Sequence, residues 1–474
     1  MTAGQQRFIE AFDPERFRRE AYGIVDVIAA HLQRCVDGTD KKVLPAPGPE
    51  EVYQAWHSDF ASQADFALQA FMERVIENSN HLHHPKYMGH QVSSPLPEAA
   101  LADFVSSFLN NGSVVYEMGP VAAAMEKICV EWMAGQIGYG PEADGVLTSG
   151  GTLGNLTALL AARQAQARYD IWNEGLREHG PMAVLVSEQA HYSVKRAVQV
   201  MGLGEAGAIL VPSDAECRMD IAALRESYAT ASAQGIHVLA VVACACSTAT
   251  GSYDDLESIA DFCEEKGLWM HVDGAHGASA LLSDKYKHYL KGIQRADSVV
   301  WDAHKMMMMP TLVTGVIYKK GQHSYETFSQ KASYILSRDH NWGDMGLRTA
   351  ECSKDMMALK LYTALKMRGR EFFGAYIDYV YDLTRRFAEY LKASGDFELA
   401  VMPDGNIICF RYIGKQGDLN EIQESIRRKL AASEEYYIVK TTLNDKLYLR
   451  CTVINPLTGW DDLVGLAERV RQYA

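Results

Sequence analysis

The sequence has no apolar run long enough to cross a membrane, and its N-terminus has no basic stretch leading into an apolar run and a cleavage site. Those absences predict a cytoplasmic protein. Basic residues are not in excess either: the formal net charge is −14, which argues against nucleic acid or an anionic membrane as partner. Any anionic ligand must then be met by local groups. C-x-x-C pairs are missing, and the nine cysteines are odd in number and scattered, which predicts reduced thiols. Cys244 and Cys246 fall two apart in an apolar run, on one face of a strand, and read as packed core. No repeat at solenoid periods is evident.

What is present is an ordinary globular composition, 48% hydrophobic and 22% charged, over 474 residues. That length exceeds what one core usually organises, so two or more packed units are expected. Residues 14–34 carry apolar positions at three- and four-residue spacing and predict an amphipathic helix. The proline-rich stretch at 43–52, VLPAPGPEEV, reads as a linker, with helical pattern resuming through Glu77. The first 78 residues therefore read as an appended helical unit.

From about 138 to 320 short apolar runs alternate with helical stretches: Ala183–Ser187, Ala208–Pro212, Val238–Ala245, Leu268–Val272, Ser298–Trp301 and Val313–Tyr318. This alternation predicts an α/β fold with a largely parallel, buried sheet. Beyond about 346 a long helical segment leads into Asn406–Tyr412 and Lys446–Val453, which suits a small α+β domain. Ligands of such sheets gather where strands hand over to loops.

Four motifs stand at such places. D-A-H-K-M at 302–306 puts Lys305 just past a strand, where a desolvated lysine can carry a carbonyl cofactor as an imine. H-V-D-G-A-H-G at 271–277 ends an apolar run on Asp273, a carboxylate that is costly there without a partner. A pyridine nitrogen is such a partner, and pyridoxal phosphate supplies it. T-S-G-G-T-L-G-N at 148–155 leads a glycine turn into a helix N-terminus, a phosphate cradle to which Thr152 adds a hydroxyl. His191, after Ala183–Ser187, offers a flat ring for stacking. Each feature alone is common; their order along one chain is not.

In that order the motifs resemble those of the group II pyridoxal-phosphate decarboxylases of glutamate, cysteine sulfinate and aromatic amino acids, over nearly the whole chain. H-H-P-K-Y-M-G-H-Q-V-S-S at 83–94, V-Y-E-M-G-P at 115–120 and S-V-V-W-D-A-H-K-M-M at 298–307 carry the resemblance further; the last is similar to the family's S-V-T-W-N-P-H-K-M-M. The resemblance implies a fold-type-I homodimer with active sites at the interface. Its divisions would be a helical dimerisation segment at 1–78, a large cofactor domain at 79–345 and a small C-terminal domain at 346–474. It implies Gly151 and Thr152 as the phosphate turn, His191 as the stacking histidine, Thr248 beside the cofactor, and Asp273 as pyridinium partner. Ala275 would lie under the ring, His304 near the phosphate, and Lys305 would be the Schiff-base lysine. Arg450 aligns with an arginine that binds a substrate carboxylate. Gln91 and Ser93 match positions that bind the acidic end in glutamate-type members, so glutamate, aspartate or cysteine sulfinate is slightly favoured as substrate.

Three departures bear on the chemistry. His276 stands where an aromatic residue is common, and Cys246 replaces a glycine. The family's mobile loop carries a tyrosine that protonates the carbanion left by carbon dioxide, yet Leu336–Cys352 contains no tyrosine. Tyr334 aligns with an earlier one. His340 is a competent replacement acid near neutral pH. Loss of the tyrosine leaves two other outcomes open: oxidative deamination to an aldehyde, or another pyridoxal-dependent lyase reaction. A catalytically silent pyridoxal-binding subunit is the rival from outside enzymology.

Two decoys are set aside. G-L-G-E-A-G at 202–207 follows a helical segment and precedes a strand, the wrong order for a dinucleotide fingerprint. H-L-H-H at 81–84 has no acidic or cysteine cluster beside it in the sequence and reads as a junction loop, so no metal is expected.

Overall fold

Seven short apolar runs pair into one sheet: β1 (Asp144–Thr148), β2 (Met182–Ser187), β3 (Ala208–Val211), β4 (His237–Cys244), β5 (Trp269–Asp273), β6 (Ser298–Asp302) and β7 (Thr314–Tyr318). The computed structural model describes residues 2–40, 42–45, 47–61, 66–176, 180–329 and 342–474. Spatial order is β1-β7-β6-β5-β4-β2-β3. Pairs from β3 through β6 are parallel, whereas β7 runs antiparallel to both β1 and β6. The predicted parallel sheet is thus mixed. The connection at 303–313 is too short to hold a crossover helix, so the chain can only turn back on itself.

β2, β5, β6 and β7 are buried at every residue, as expected of strands covered on both faces. The helix Gly151–Gln166 turns Ala158, Leu159, Ala161 and Ala162 into one core with Val184, Val242, Val300 and Val316. Small residues let it approach closely: a Cβ on Gly154 would lie 3.1 Å from Thr314 Cγ2 and 3.3 Å from the Val300 methyls. The long helix Ala358–Ser394 breaks once, at Gly369, whose φ is +72°.

The chain divides into two compact units. Gln91–Phe410 with Thr452–Ile454 holds the seven-stranded sheet; Met1–His90 with Arg411–Cys451 and Asn455–Ala474 forms the other. In this second unit the predicted helix runs Pro14–Val36, capped by Asp13, whose carboxylate accepts from Glu15 N at 3.1 Å. Residues Val439–Leu443 and Lys446–Thr452 form a hairpin turned by Asn444 and Asp445, both at positive φ as a primed turn demands. The stretch read as a linker is pinned at its start. Val43 is fully buried; its N–H donates to Glu434 O at 2.8 Å, and its carbonyl accepts from His81 N at 3.0 Å. A helix begins at Pro49. No helix among the described residues is long and apolar enough to cross a membrane.

Candidate active site

Because β7 is the reversed strand, β1, β4, β5 and β6 all end at the same edge of the sheet, on Thr148, Cys244, Asp273 and Asp302. A cavity of about 320 Å³ opens there. It is lined by Gly151, Thr152, His191, Thr248, Asp273, Ala275, His304 and Lys305, so eight of the positions singled out in the sequence converge.

The glycine turn comes first. Gly150 has φ +110°, a left-handed conformation that glycine adopts freely, and it hands the chain to the Gly151–Gln166 helix. A Cβ on Gly151 would lie 3.0 Å from Asp302 Oδ2 and 3.5 Å from the Ala275 methyl, so this floor admits only glycine without displacement. The helix N-terminus behind it offers unpaired N–H groups and positive potential to an anion.

Lys305 Nζ lies 2.9 Å from Asp302 Oδ2. Burial opposes the lysine's charge, but Asp302, helped by Asp273, outweighs it and the Lys305 pKa is raised. Burial likewise opposes ionisation of Asp302, yet Lys305, His304 and a 2.6 Å hydrogen bond from Thr314 Oγ1 hold its pKa below the usual range. His304 is pushed down by burial, more than Asp302 raises it.

Asp273 is aimed by a chain of buried groups. Trp269 Nε1 donates to Ser298 Oγ at 2.9 Å, and that hydroxyl stands 2.8 Å from His271 Nδ1. His271 Nε2 faces Asn155 Oδ1 at 3.0 Å, and Asn155 Nδ2 donates to Asp273 Oδ2 at 2.9 Å. Burial pushes the His271 pKa down to about 4, so the ring is neutral and each proton has one consistent place: hydroxyl to Nδ1, Nε2–H to the amide oxygen. The second carboxylate oxygen accepts from Ala275 N at 3.2 Å. Ser193 links His191 to the same chain, since Asn155 Nδ2 also donates to Ser193 Oγ at 3.1 Å and His191 Nδ1 lies 2.8 Å from that oxygen. Burial lowers the His191 pKa, more than Asp273 raises it, leaving a neutral ring.

The remaining sequence candidates lie elsewhere. Ser93 is buried and donates to His304 O at 3.1 Å, bracing the lysine-bearing turn rather than lining the cavity. Gln91 does not line it either, and its buried Nε2 has no hydrogen-bond partner among the described residues. Arg450 belongs to the other unit, paired with Val439 in the hairpin. His340 and Tyr334 lie outside the described residues. His276 and Cys246, by contrast, do line the cavity, and His276 Nε2 faces Asn406 Oδ1 at 2.8 Å.

Sequence reasoning passed over Asp302, Asn155 and Ser193. Asp302 and Asn155 sat inside quoted motifs, three residues before Lys305 and at the end of T-S-G-G-T-L-G-N. The signal was there for Asp302: a carboxylate closing an apolar strand needs a partner, the same logic that singled out Asp273.

The chain belongs to the pyridoxal-dependent decarboxylases. The family model "Pyridoxal-dependent decarboxylase conserved domain" matches residues 53–413. The chain is 30% identical over 481 residues to cysteine sulfinic acid decarboxylase of Rattus norvegicus, covering 97% of this chain and 96% of that one. It is 27% identical over 470 residues to aromatic-L-amino-acid decarboxylase of Bacillus atrophaeus, again with 97% and 96% covered. The crystal structure of mouse CSAD matches with a TM-score of 0.90 at 26% identity, over 97% of this chain and 99% of that one. The fold is therefore type I, and the protein is a pyridoxal-phosphate-dependent carboxy-lyase. The cavity fits that cofactor by its own chemistry: an amine, a carboxylate fixed by Asn155 and Ala275 N, and a glycine floor at a helix N-terminus face one space.

Proposed function

We propose that the chain removes the α-carboxyl group of a small L-amino acid, with an acidic substrate (glutamate, aspartate or cysteine sulfinate) slightly favoured. The observation that carries this is the convergence of Lys305 and Asp273 on one cavity at the carboxyl edge of the sheet. Bound pyridoxal phosphate supplies an electron sink for the pair released as the carboxyl group departs. Lys305 would hold the cofactor through its carbonyl carbon. Asp273, aimed by Asn155, keeps the ring nitrogen protonated. Neutral His191, Ala275 and Thr248, which line the same cavity, would hold the ring. Gly151, Thr152 and His304 would hold the phosphate at the N-terminus of the Gly151–Gln166 helix.

The acidic preference rests on the full-length likeness to a cysteine sulfinate enzyme and on Arg450 as a planar fork for a carboxylate, not on Gln91 and Ser93, which do not line the cavity. His340 is the proposed proton donor to the carbon that loses carbon dioxide. The chain works as a homodimer, supported by the apolar outer face of the helix Pro97–Leu109, where Leu101, Phe104, Val105 and Phe108 are exposed.

The absence of tyrosine from Leu336–Cys352 favours a second reading, oxidation of that carbon by dioxygen with release of an aldehyde. One experiment separates them. The purified holoenzyme is incubated with a panel of L-amino acids while carbon dioxide, amine, aldehyde and hydrogen peroxide are followed. Amine with stoichiometric carbon dioxide and no peroxide supports simple decarboxylation. Aldehyde with peroxide establishes the oxidative course, and silence across the panel overturns both in favour of a regulatory subunit.

A further inference from the structure

Away from the cavity, the second unit gathers three side chains from three separate stretches. His31 lies near the end of the Pro14–Val36 helix, Asp40 follows that helix, and His81 lies beyond the helix Leu68–Glu77. One donor atom from each lies within 4.8 Å of the other two. Their backbones are fixed by bonds that leave the side-chain lone pairs unspent. His84 Nδ1 accepts from Lys86 N at 3.1 Å, so its Nε2–H donates to the Asp40 carbonyl at 3.0 Å. His81 N donates to Val43 O at 3.0 Å.

Proton accounting at His81 does not close with a neutral ring. Its Nε2 lies 3.2 Å from Ile76 O, and a carbonyl only accepts, so Nε2 carries the hydrogen. Nδ1 is then a bare lone pair, and it faces Asp40 Oδ2 at 2.8 Å. Both atoms are buried without a hydrogen-bond partner among the described residues, and the His81 side chain is only 7% exposed. The other tautomer instead turns the Nε2 lone pair toward Ile76 O, a carbonyl that already accepts from Ser79 N at 3.0 Å. A positive charge shared by Nδ1 and Oδ2 removes it: either an extra proton or a metal cation.

The surroundings favour the metal. A second imidazole serves the same oxygen, His31 Nδ1 at 3.9 Å, with its ring edge-on to His81 at 4.8 Å between centroids. A proton between His81 and Asp40 serves only that pair, whereas a cation takes one donor from each of the three side chains. Metal–ligand lengths of about 2.0–2.2 Å put donors in a tetrahedral site roughly 3.3 Å apart. The two His–Asp separations, 2.8 and 3.9 Å, bracket that value. One helical turn after His31, the fully buried Cys35 Sγ packs against the His31 ring, 3.8 Å from Nε2 and 4.0 Å from Nδ1, and is not one of the clustered donors. Two imidazoles and a carboxylate suit a borderline cation rather than calcium or magnesium.

We propose that His31, Asp40 and His81 bind a divalent cation of the zinc class, which clips the end of the Pro14–Val36 helix to the segment at 81–84. The site is structural and independent of the decarboxylase reading.

The test uses untagged, full-length holoenzyme stripped with a chelator and titrated with zinc against a chromophoric competitor. The site predicts one zinc per chain, with His81→Gln and Asp40→Asn each weakening binding about tenfold or more. His57→Gln, on an exposed helix face, leaves affinity unchanged. Cobalt in place of zinc gives visible bands that His81→Gln abolishes. A wild-type chain that takes up no stoichiometric metal, or a His81→Gln variant that binds as well as wild type, overturns the site and leaves His81 and Asp40 as an ion pair. Should the variants fail to fold, zinc-edge absorption of the wild-type chain decides: two imidazoles on the metal support the site, none overturns it.

Discussion

Asp302 sets the charge of Lys305, and that makes the cofactor's attachment pH-dependent in a predictable sense. The amine attacks a carbonyl only when unprotonated, and Asp302 at 2.9 Å helps to raise the lysine pKa. Replacing Asp302 by Asn, the residue of the family's N-P-H-K pattern, removes that support and lowers the pKa. More of the amine is then free at any given neutral pH. The rate at which the visible band develops on adding pyridoxal phosphate to Asp302→Asn apoenzyme should rise, and its pH profile should move to lower pH, by about tenfold in rate per unit moved. A profile identical to wild type would show that Asp302 does not control this amine. Asn155 invites a second test. Its loss in Asn155→Ala leaves the Asp273 carboxylate and the His271 N–H without their buried partner, at a cost of about 1–3 kcal/mol. Steady-state kinetics should show kcat reduced by about one to two orders of magnitude, with less change in KM. Both residues were in plain view in their motifs, but only their burial and distances reveal the work they do.

Among the elements, the helix Gly151–Gln166 couples packing to binding. Its inner face sits on β6 and β7 so closely that Gly154→Ala forces a methyl against Thr314 and Val300. Urea unfolding of that variant should show a loss of about 1–3 kcal/mol. The same displacement moves the helix N-terminus in the cavity, so equilibrium titration should find weaker pyridoxal phosphate binding. Unchanged affinity alongside the stability loss would uncouple the two. Most strands here were legible from the sequence to within about a residue, because each is a short apolar run bounded by turns. The reversed direction of β7 is not carried by its apolar pattern; the short connection after β6 requires it. The pinning of Val43 was hidden for a different reason: both its partners, Glu434 and His81, are distant in the chain.

For the whole molecule, the exposed apolar face of Pro97–Leu109 asks for a cover. Phe108 is 66% exposed and Leu101 57% exposed on a helix otherwise packed against Ala358–Ser394. Phe108→Glu should convert a dimer into a monomer in light scattering and depress activity with it. A wild-type chain that is monomeric at micromolar concentration would remove the dimer from the proposal.

The sequence by itself determined the class of fold, the cofactor motifs and their order. These are written in local signals: apolar period, a glycine turn entering a helix, a charged residue closing a strand. The tertiary structure decided which charge answers which. Lys305 with Asp302, Asp273 with Asn155, and His31 with Asp40 and His81 are set by separations of a few ångströms between segments, and a proton or cation responds to that distance, not to spacing along the chain.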